Sequence, residues 1–341
     1  MTLPRDEEIL ARCFEEVSGS APTCVQTLRP HASERRIYRL SSASGSLVGV
    51  VNASRAENDS FVALARHFRR CGLPVPAIHA YKAELGVYLE DDLGDQTLLD
   101  LLEASRSRSA EPFPADAASL YQAAVEVLPR FQIEAATTLD FSQCLSSQGS
   151  FASTLKRDVE AFLREFVGRV LAGPPPANLA GEFEQLVSFL AAAPSAYFLY
   201  RDFQARNIMA KDGKLAFIDF QSGGQGPLQY DLASLLFQSS AQIPDPERER
   251  LLESYLAAAG RHTSIDREDF LGRYPAFVVS RMLQVLSVYG RQGLGQKKEY
   301  FTRSIPLALA TLSRCLKDPR MPLRLAGLEQ CCNELLAATA T

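Results

Sequence analysis

Residues 197–238 read YFLYRDFQARNIMAKDGKLAFIDFQSGGQGPLQYDLASLLFQ, and the spacing of three polar side chains in that stretch decides which fold can carry it. Asp202 stands five positions before Asn207, and Asp219 closes an apolar run. A phosphoryl group passing between oxygens goes through a loose transition state, so a protein that catalyses the step supplies positioned charge and metal ions rather than covalent chemistry. One carboxylate must receive the proton of the incoming hydroxyl, while an amide oxygen and a second carboxylate hold magnesium against a triphosphate. Asp202, Asn207 and Asp219 suit those three tasks. Mg²⁺ takes hard oxygen ligands and usually only one or two protein carboxylates, the rest being phosphate and water, so one Asp with one Asn suffices.

The flanking pattern agrees. Residues 195–200 are apolar and aromatic and read as a short strand running into a loop. Residues 207–210 and 214–220 read as two strands joined by Lys211-Asp212-Gly213-Lys214, which is strong hairpin chemistry. An isolated Asp or Asn in a turn ordinarily bonds its own backbone. Three together on a strand, loop and hairpin read as a site.

Three runs, Tyr200-Arg201-Asp202-Phe203-Gln204-Ala205-Arg206-Asn207, Asp219-Phe220-Gln221 and Gly226-Pro227-Leu228-Gln229-Tyr230-Asp231-Leu232-Ala233-Ser234-Leu235, resemble the aminoglycoside phosphotransferase and choline kinase superfamily. Within it the block looks most like the bacterial anomeric N-acetylmuramate/N-acetylglucosamine kinases of cell-wall recycling. The likeness extends loosely over about residues 20–100 and fades after Phe237. It implies an α+β, protein-kinase-like two-lobed fold with a small antiparallel sheet in the N-lobe and a larger helical C-lobe, divided as 1–92 and 93–341. It also implies ATP and Mg²⁺ as cofactors, Asp202 as catalytic base, Arg206 near the phosphates or the substrate, Asn207 and Asp219 as metal ligands, and an amino-sugar hydroxyl as acceptor. Tyr200 stands where the family has a histidine, and it reads as a packing substitute rather than a catalytic group.

Apolar stretches at 23–28, 36–40, 47–51, 77–81 and 87–90 alternate with turn clusters, with an amphipathic helix over 57–71 between the third and fourth. That is the nucleotide-binding lobe the resemblance implies. Its phosphate-covering loop would be residues 29–35, RPHASER, where Ser33 and backbone N–H groups could cradle phosphate and Arg35 or Arg36 could add charge. It has no glycine repeat, and an ordinary hairpin loop with solvated arginines is the competing reading. The third strand ends Val50-Val51-Asn52 without the lysine that kinases normally pair to a glutamate on the next helix. Glu57 is left to cap that helix or to pair with an arginine, and the absence leaves room for a nucleotide-binding pseudokinase. Glu90, Asp91, Asp92 and Leu93 follow the last strand, where the fold has a hinge that reads adenine through backbone groups. Asp231 precedes an apolar helix at 232–239 and reads as a carboxylate bonding free N–H groups at the helix start.

Beyond residue 98 the pattern is helical, over 98–104, 115–134, 154–171, 182–193, 246–259, 266–289, 301–316 and 322–338, with 105–114 (SRSRSAEPFP) as a polar loop. Arg281, Gln284, Tyr289 and Arg291 fall on one of these helices and its end and read as surface or packing residues. The chain has 341 residues, 46% hydrophobic and 22% charged, which is ordinary globular composition long enough for two cores. Its seven scattered cysteines form no Cys-x-x-Cys pair, fitting a reducing, cytoplasmic setting. No run approaches the roughly 18 apolar residues that cross a bilayer, so no membrane partner is expected. A net charge of −4 argues against nucleic acid. The partner that the resemblance implies is a small-molecule acceptor. An aminoglycoside is the runner-up, though the C-terminal half has no dense acidic run to meet a polycation. Choline would call for an aromatic cage, and there is no tryptophan.

Overall fold

The computed structural model describes residues 4–28, 35–146, 149–171 and 173–339. Helix α1 (Pro4–Ser18) precedes an antiparallel sheet of β1 (Cys24–Leu28), β2 (Arg36–Ser42), β3 (Gly45–Val51), β4 (Ile78–Lys82) and β5 (Val87–Asp91), in spatial order β1-β2-β3-β5-β4. Helix α2 (Arg55–Arg70) connects β3 to β4, capped by the Ser54 side chain. Each strand begins within about two residues of where the alternation of apolar and polar residues puts it.

Alternation also sorts the two faces of this sheet. Tyr38, Leu40, Val51, Val87 and Leu89 pack with Leu10 and Phe14 of α1 in a small outer cluster. Val50 and Tyr88, pointing the other way, join Phe61, Leu64 and Phe68 of α2 in the main core. That core runs without interruption into the C-terminal half, so the two halves are tied by burial rather than by a linker. Phe220 is the junction: it stacks on Phe61 at 5.0 Å and meets Phe68 and Tyr200 edge-on. A buried phenylalanine contributes about 1.5–3 kcal/mol, so the Asp219-Phe220-Gln221 segment is anchored to α2 by its middle residue.

The C-terminal half is built from α3 (Leu98–Arg108), α4 (Ala115–Pro129), α5 (Phe151–Ala161), α6 (Gly168–Val170), α7 (Leu179–Ala191), α8 (Gln229–Leu236), α9 (Asp245–Ala259), α10 (Arg267–Tyr289), α11 (Glu299–Leu316) and α12 (Ala326–Thr339). Two short ribbons interrupt them, β6 (Tyr197–Leu199) with β9 (Gly224–Gly226), and β7 (Ile208–Lys211) with β8 (Lys214–Phe217). Asp212 and Gly213 at the β7–β8 turn both have positive φ, 51° and 73°, the type I′ geometry of a two-residue hairpin.

Two local expectations need correction. Residues 105–108 belong to α3 rather than to a loop, because the buried Ser105 hydroxyl bonds Asp116 at 2.6 Å and Arg106 donates to Pro112 O at 2.7 Å. Strand β9 is absent from the sequence reading: its glycines carry no strand signal, yet they are required there. A Cβ on Gly226 would sit 2.9 Å from the Leu199 side chain on the paired strand. Among the described residues no helix is long and apolar enough to cross a membrane, and all seven cysteines are free.

Candidate active site

Strand β6 delivers the chain into a loop whose shape is imposed from a distance. Arg201 has φ 74°, a left-handed conformation that a non-glycine residue holds only under outside constraint. The constraint is Asp231, fully buried in the first turn of α8, whose two carboxylate oxygens accept the backbone N–H groups of Tyr200 and Arg201, each at 2.8 Å. Gln132 donates to the same carboxylate at 3.0 Å and accepts from the Tyr255 hydroxyl at 2.6 Å. Asp231 is thus structural, as its sequence position suggests, but it pins the loop that carries Asp202 rather than capping its own helix. Burial pushes its carboxyl up to about 7 against the pull of those backbone donors. Tyr200 is buried too, its hydroxyl on Ile218 O at 2.7 Å and its ring among Phe131, Phe203 and Phe220.

So held, Asp202 comes together with Asn207 and Asp219. Asn207 closes a single turn, Ala205–Asn207, immediately before β7, and its Nδ2 donates to Asp202 O at 2.8 Å and to Asp219 Oδ2 at 3.1 Å. Asp219 lies just beyond β8 with φ 69° and accepts Gln221 Nε2 at 2.7 Å. Asp202 accepts the Ser222 hydroxyl at 3.1 Å, Gln204 Nε2 at 3.4 Å and, from α10, Arg281 Nη2 at 3.4 Å.

The charges divide the two acids. Burial would raise the Asp202 carboxyl, but the guanidinium groups of Arg281, Arg201 and Arg206 and the Ser222 bond outweigh it and hold that group below the usual carboxylate range. Burial raises Asp219, the neighbouring Asp202 charge raises it further, and Gln221, Arg35 and Arg206 only partly offset this. One carboxylate is held low while its neighbour is raised, a divergence common at working sites. Among the described residues no three His, Cys, Asp or Glu side chains form a metal cluster. The donor set at Asn207 and Asp219 is one carboxylate and one amide, which fits a hard cation completed by phosphate and water.

Arg281 is the residue the sequence undersold. It reads as a surface or packing position, yet it is 1% exposed, bonds Arg201 O at 3.1 Å as well as Asp202, and has its guanidinium 5.7 Å from the Tyr230 ring centroid. Seventy-nine positions separate it from Asp202, so no local pattern could reveal the pairing.

On the sheet side, Arg35 Nη2 donates to Glu57 Oε2 at 3.2 Å and Nη1 lies 4.0 Å from Asp219. Asn52, at the end of β3 where a lysine is customary, donates to the same Glu57 oxygen at 3.1 Å. Arg36 is not brought to the site. Successive residues of a strand face opposite ways, and Arg36 bonds Asp6 of α1 on the outer face. Ser33 lies outside the described residues. Of the expected hinge residues, Glu90 and Asp91 belong to the end of β5; Asp91 accepts Ala77 N and contacts His79, and just beyond the strand Asp92 accepts Arg39, Ser46 and Gly94 N, so both side chains brace the segment. Leu93 is half-buried, and Glu90 turns a buried Oε2 with no hydrogen-bond partner inward. Burial pushes the Glu90 carboxyl up to about 8, with Arg35 pulling the other way.

A model of the phosphotransferase enzyme family matches residues 25–271. A Pseudomonas putida protein named N-acetylmuramate/N-acetylglucosamine kinase is 28% identical over 93% of this chain and 91% of its own. The Pseudomonas aeruginosa protein of the same name is 28% identical over 76% and 74%. Among solved structures, spectinomycin phosphotransferase APH(9)-Ia, in complex with ADP and spectinomycin, superposes with a TM-score of 0.57 at 13% identity, covering 98% of each chain. That last likeness concerns the fold alone.

Proposed function

The chain belongs to the phosphotransferase enzyme family and is a small-molecule kinase, and from that premise we propose that it transfers the γ-phosphate of ATP to a sugar hydroxyl, the anomeric one of N-acetylmuramate or N-acetylglucosamine. The observation that carries the chemistry is the Asp202 carboxylate, kept ionised by Arg281 and held beside Asn207 and Asp219. The two Pseudomonas relatives bearing that name support the choice of acceptor.

When bound, ATP with Mg²⁺ supplies the transferable phosphoryl group and neutralises much of its charge. Asp202 orients the acceptor hydroxyl and takes its proton late, as the new oxygen–phosphorus bond forms and the bond to ADP breaks. A carboxylate of depressed basicity suits this role, because a loose transition state asks for alignment more than for early deprotonation. Asn207 spends its nitrogen on Asp202 O and Asp219, which leaves its amide oxygen free, so Asn207 and Asp219 would be the residues to hold the cation. Arg206 adds charge near the transferring phosphate. Arg35 contributes the cation on the sheet side, and residues 90–93 (Glu90, Asp91, Asp92, Leu93) present backbone groups to adenine. Residues 1–92 form the nucleotide lobe and 93–341 the lobe carrying the catalytic loop. The seven free cysteines support a cytoplasmic setting for the enzyme.

The test is turnover of ATP with Mg²⁺ on N-acetylglucosamine, N-acetylmuramate, kanamycin and choline, alongside Asp202→Asn. Loss of a positioned base costs about 10²–10⁴-fold. Turnover of an N-acetyl sugar that falls by that factor in the variant, with phosphorus NMR showing an anomeric phosphate, bears the proposal out. Turnover of kanamycin but of neither sugar would replace it with an aminoglycoside acceptor.

A further inference from the structure

Helix α8 holds the loop of Asp202 at its upstream end through Asp231, and the downstream end of the same loop has an anchor of its own. Residues Ala205–Asn207 form the single turn that ends on the metal-binding amide. The first N–H of that turn belongs to Ala205, which is fully buried, and a helical turn supplies no internal partner for its first amide. Gln204, immediately before, makes no capping bond, and its amide reaches toward Asp202 instead. The acceptor is Gln238 Oε1, at 2.7 Å, from two residues beyond the end of α8. A buried donor left without an acceptor carries its full desolvation penalty, so the place of the turn depends on this bond. Gln238 is itself fixed. It is 7% exposed, its Nε2 donates to the Ser240 hydroxyl at 3.0 Å, and its carbonyl accepts Ala241 N at 2.9 Å. Arg106 of α3 donates to the carbonyls of Ala241 and Gln242 at 2.5 and 3.2 Å and braces the segment.

Resting on the kinase reading above, we propose that Gln238 is a positioning residue: by holding the Ala205 N–H it sets where Asn207 stands relative to Asp202 and Asp219. Every residue of α8 is buried, so one rigid element carries both anchors, Asp231 at its start and Gln238 just past its end. Asp202 lies between the two anchored stretches of backbone, and Arg206 and Asn207 follow the second directly. Asn207 in turn donates to Asp202 O and to Asp219 Oδ2, so a shift of the turn is passed to both acids. Gln238 touches neither nucleotide nor acceptor in this role and acts through Ala205 alone.

The test removes the acceptor and takes three readings on the full chain: amide hydrogen exchange over residues 200–207 without nucleotide, the gain in ADP affinity on adding Mg²⁺ by calorimetry, and kcat and KM on the sugar that wild type phosphorylates. Gln238→Met fills the same space without an oxygen. It is expected to speed exchange over 200–207 but not in α8, to shrink the Mg²⁺ gain, and to lower kcat about 10–100-fold with the sugar KM little changed, the scale of loss that a small misplacement causes. Gln238→Asn, which retracts the same amide by one methylene group and stays polar, should show the same losses, so a poorly folded Gln238→Met leaves the proposal testable. Gln238→Glu keeps an oxygen toward Ala205 and should recover all three readings, and Ser240→Ala, which removes only the far partner of the amide, should match wild type. A residue that served stability alone would lower the melting temperature and leave the Mg²⁺ gain and the kcat of folded enzyme as they were. That result in Gln238→Met and Gln238→Asn, or a Gln238→Glu as impaired as Gln238→Met, overturns the proposal while the functional one stands. If wild type phosphorylates no sugar yet has an Mg²⁺ gain that Gln238→Met and Gln238→Asn lose, the functional proposal falls and this one stands. Neither turnover nor an Mg²⁺ gain in wild type overturns both.

Discussion

Arg35, one residue before β2, donates to Glu57 of α2 at 3.2 Å and reaches to 4.0 Å from Asp219. The glutamate that a third-strand lysine would ordinarily engage has an arginine partner from the neighbouring strand instead. A cation thus stands between α2 and Asp219 although the lysine itself is missing, so on the proposed kinase reading Arg35 does the work of that lysine.

Removal of that cation should be felt at the phosphates. Arg35→Ala is expected to weaken a non-hydrolysable ATP analogue by about 10–100-fold, which is ~1.4–2.7 kcal/mol, with the melting temperature little changed. Arg35→Lys should recover part of the loss, since a point charge replaces a planar fork. Calorimetry of the analogue decides it, and unchanged affinity in Arg35→Ala would sink the assignment.

Metal dependence should pass through Asp219. Chelation with EDTA is expected to abolish turnover and added Mg²⁺ to restore it. In Asp219→Asn the Mg²⁺-dependent gain in nucleotide affinity should vanish while the metal-free affinity stays near wild type. A variant that keeps the full gain would move the metal elsewhere.

Arg281 is buried while its partner Asp202 keeps a quarter of its side chain exposed; breaking a fully buried pair from one side commonly costs about 3–5 kcal/mol, and the exposed carboxylate puts this pair at the low end of that range. Arg281→Met should lower stability by an amount of that order and let the Asp202 carboxyl rise, because the largest charge opposing its protonation is gone. The sign follows: a depressed acid contributes stability above its unfolded value of 3.8 that is lost as pH falls through the folded value. The variant should therefore lose less stability on acidification than wild type, and the acid limb of its kcat/KM profile should move to higher pH. An acid limb that does not move would mean Arg281 serves packing alone.

Glu90 predicts the opposite slope. Its carboxyl is raised from 4.5 to about 8 by burial, so the folded chain holds a proton that the unfolded chain has released. Stability tied to this group is present below pH 4.5 and is lost as pH climbs through 8. Glu90→Gln, which stays neutral, should melt near the wild-type temperature at about pH 4.5 and above it at about pH 9. Parallel melting curves across that range would show that Glu90 is ionised in the folded chain.

How much of this was legible in the chain itself varies with the range of the interaction. Periodicity and turn chemistry are local, so the five strands of the sheet, α2 and the Asp212-Gly213 hairpin can be read from the residues directly. The Asp202, Asn207 and Asp219 constellation is legible for the same reason, since a loop and a hairpin set its geometry over eighteen positions. The tertiary structure decided what depends on elements far apart in the chain. Asp231 pins the backbone of Tyr200 and Arg201, Arg281 crosses from α10 to hold Asp202 ionised, and Arg35 rather than Arg36 meets Glu57 because only one of two adjacent residues can face inward. Spacing along a strand or helix records which way a side chain points, but carries no record of what the fold brings up to meet it.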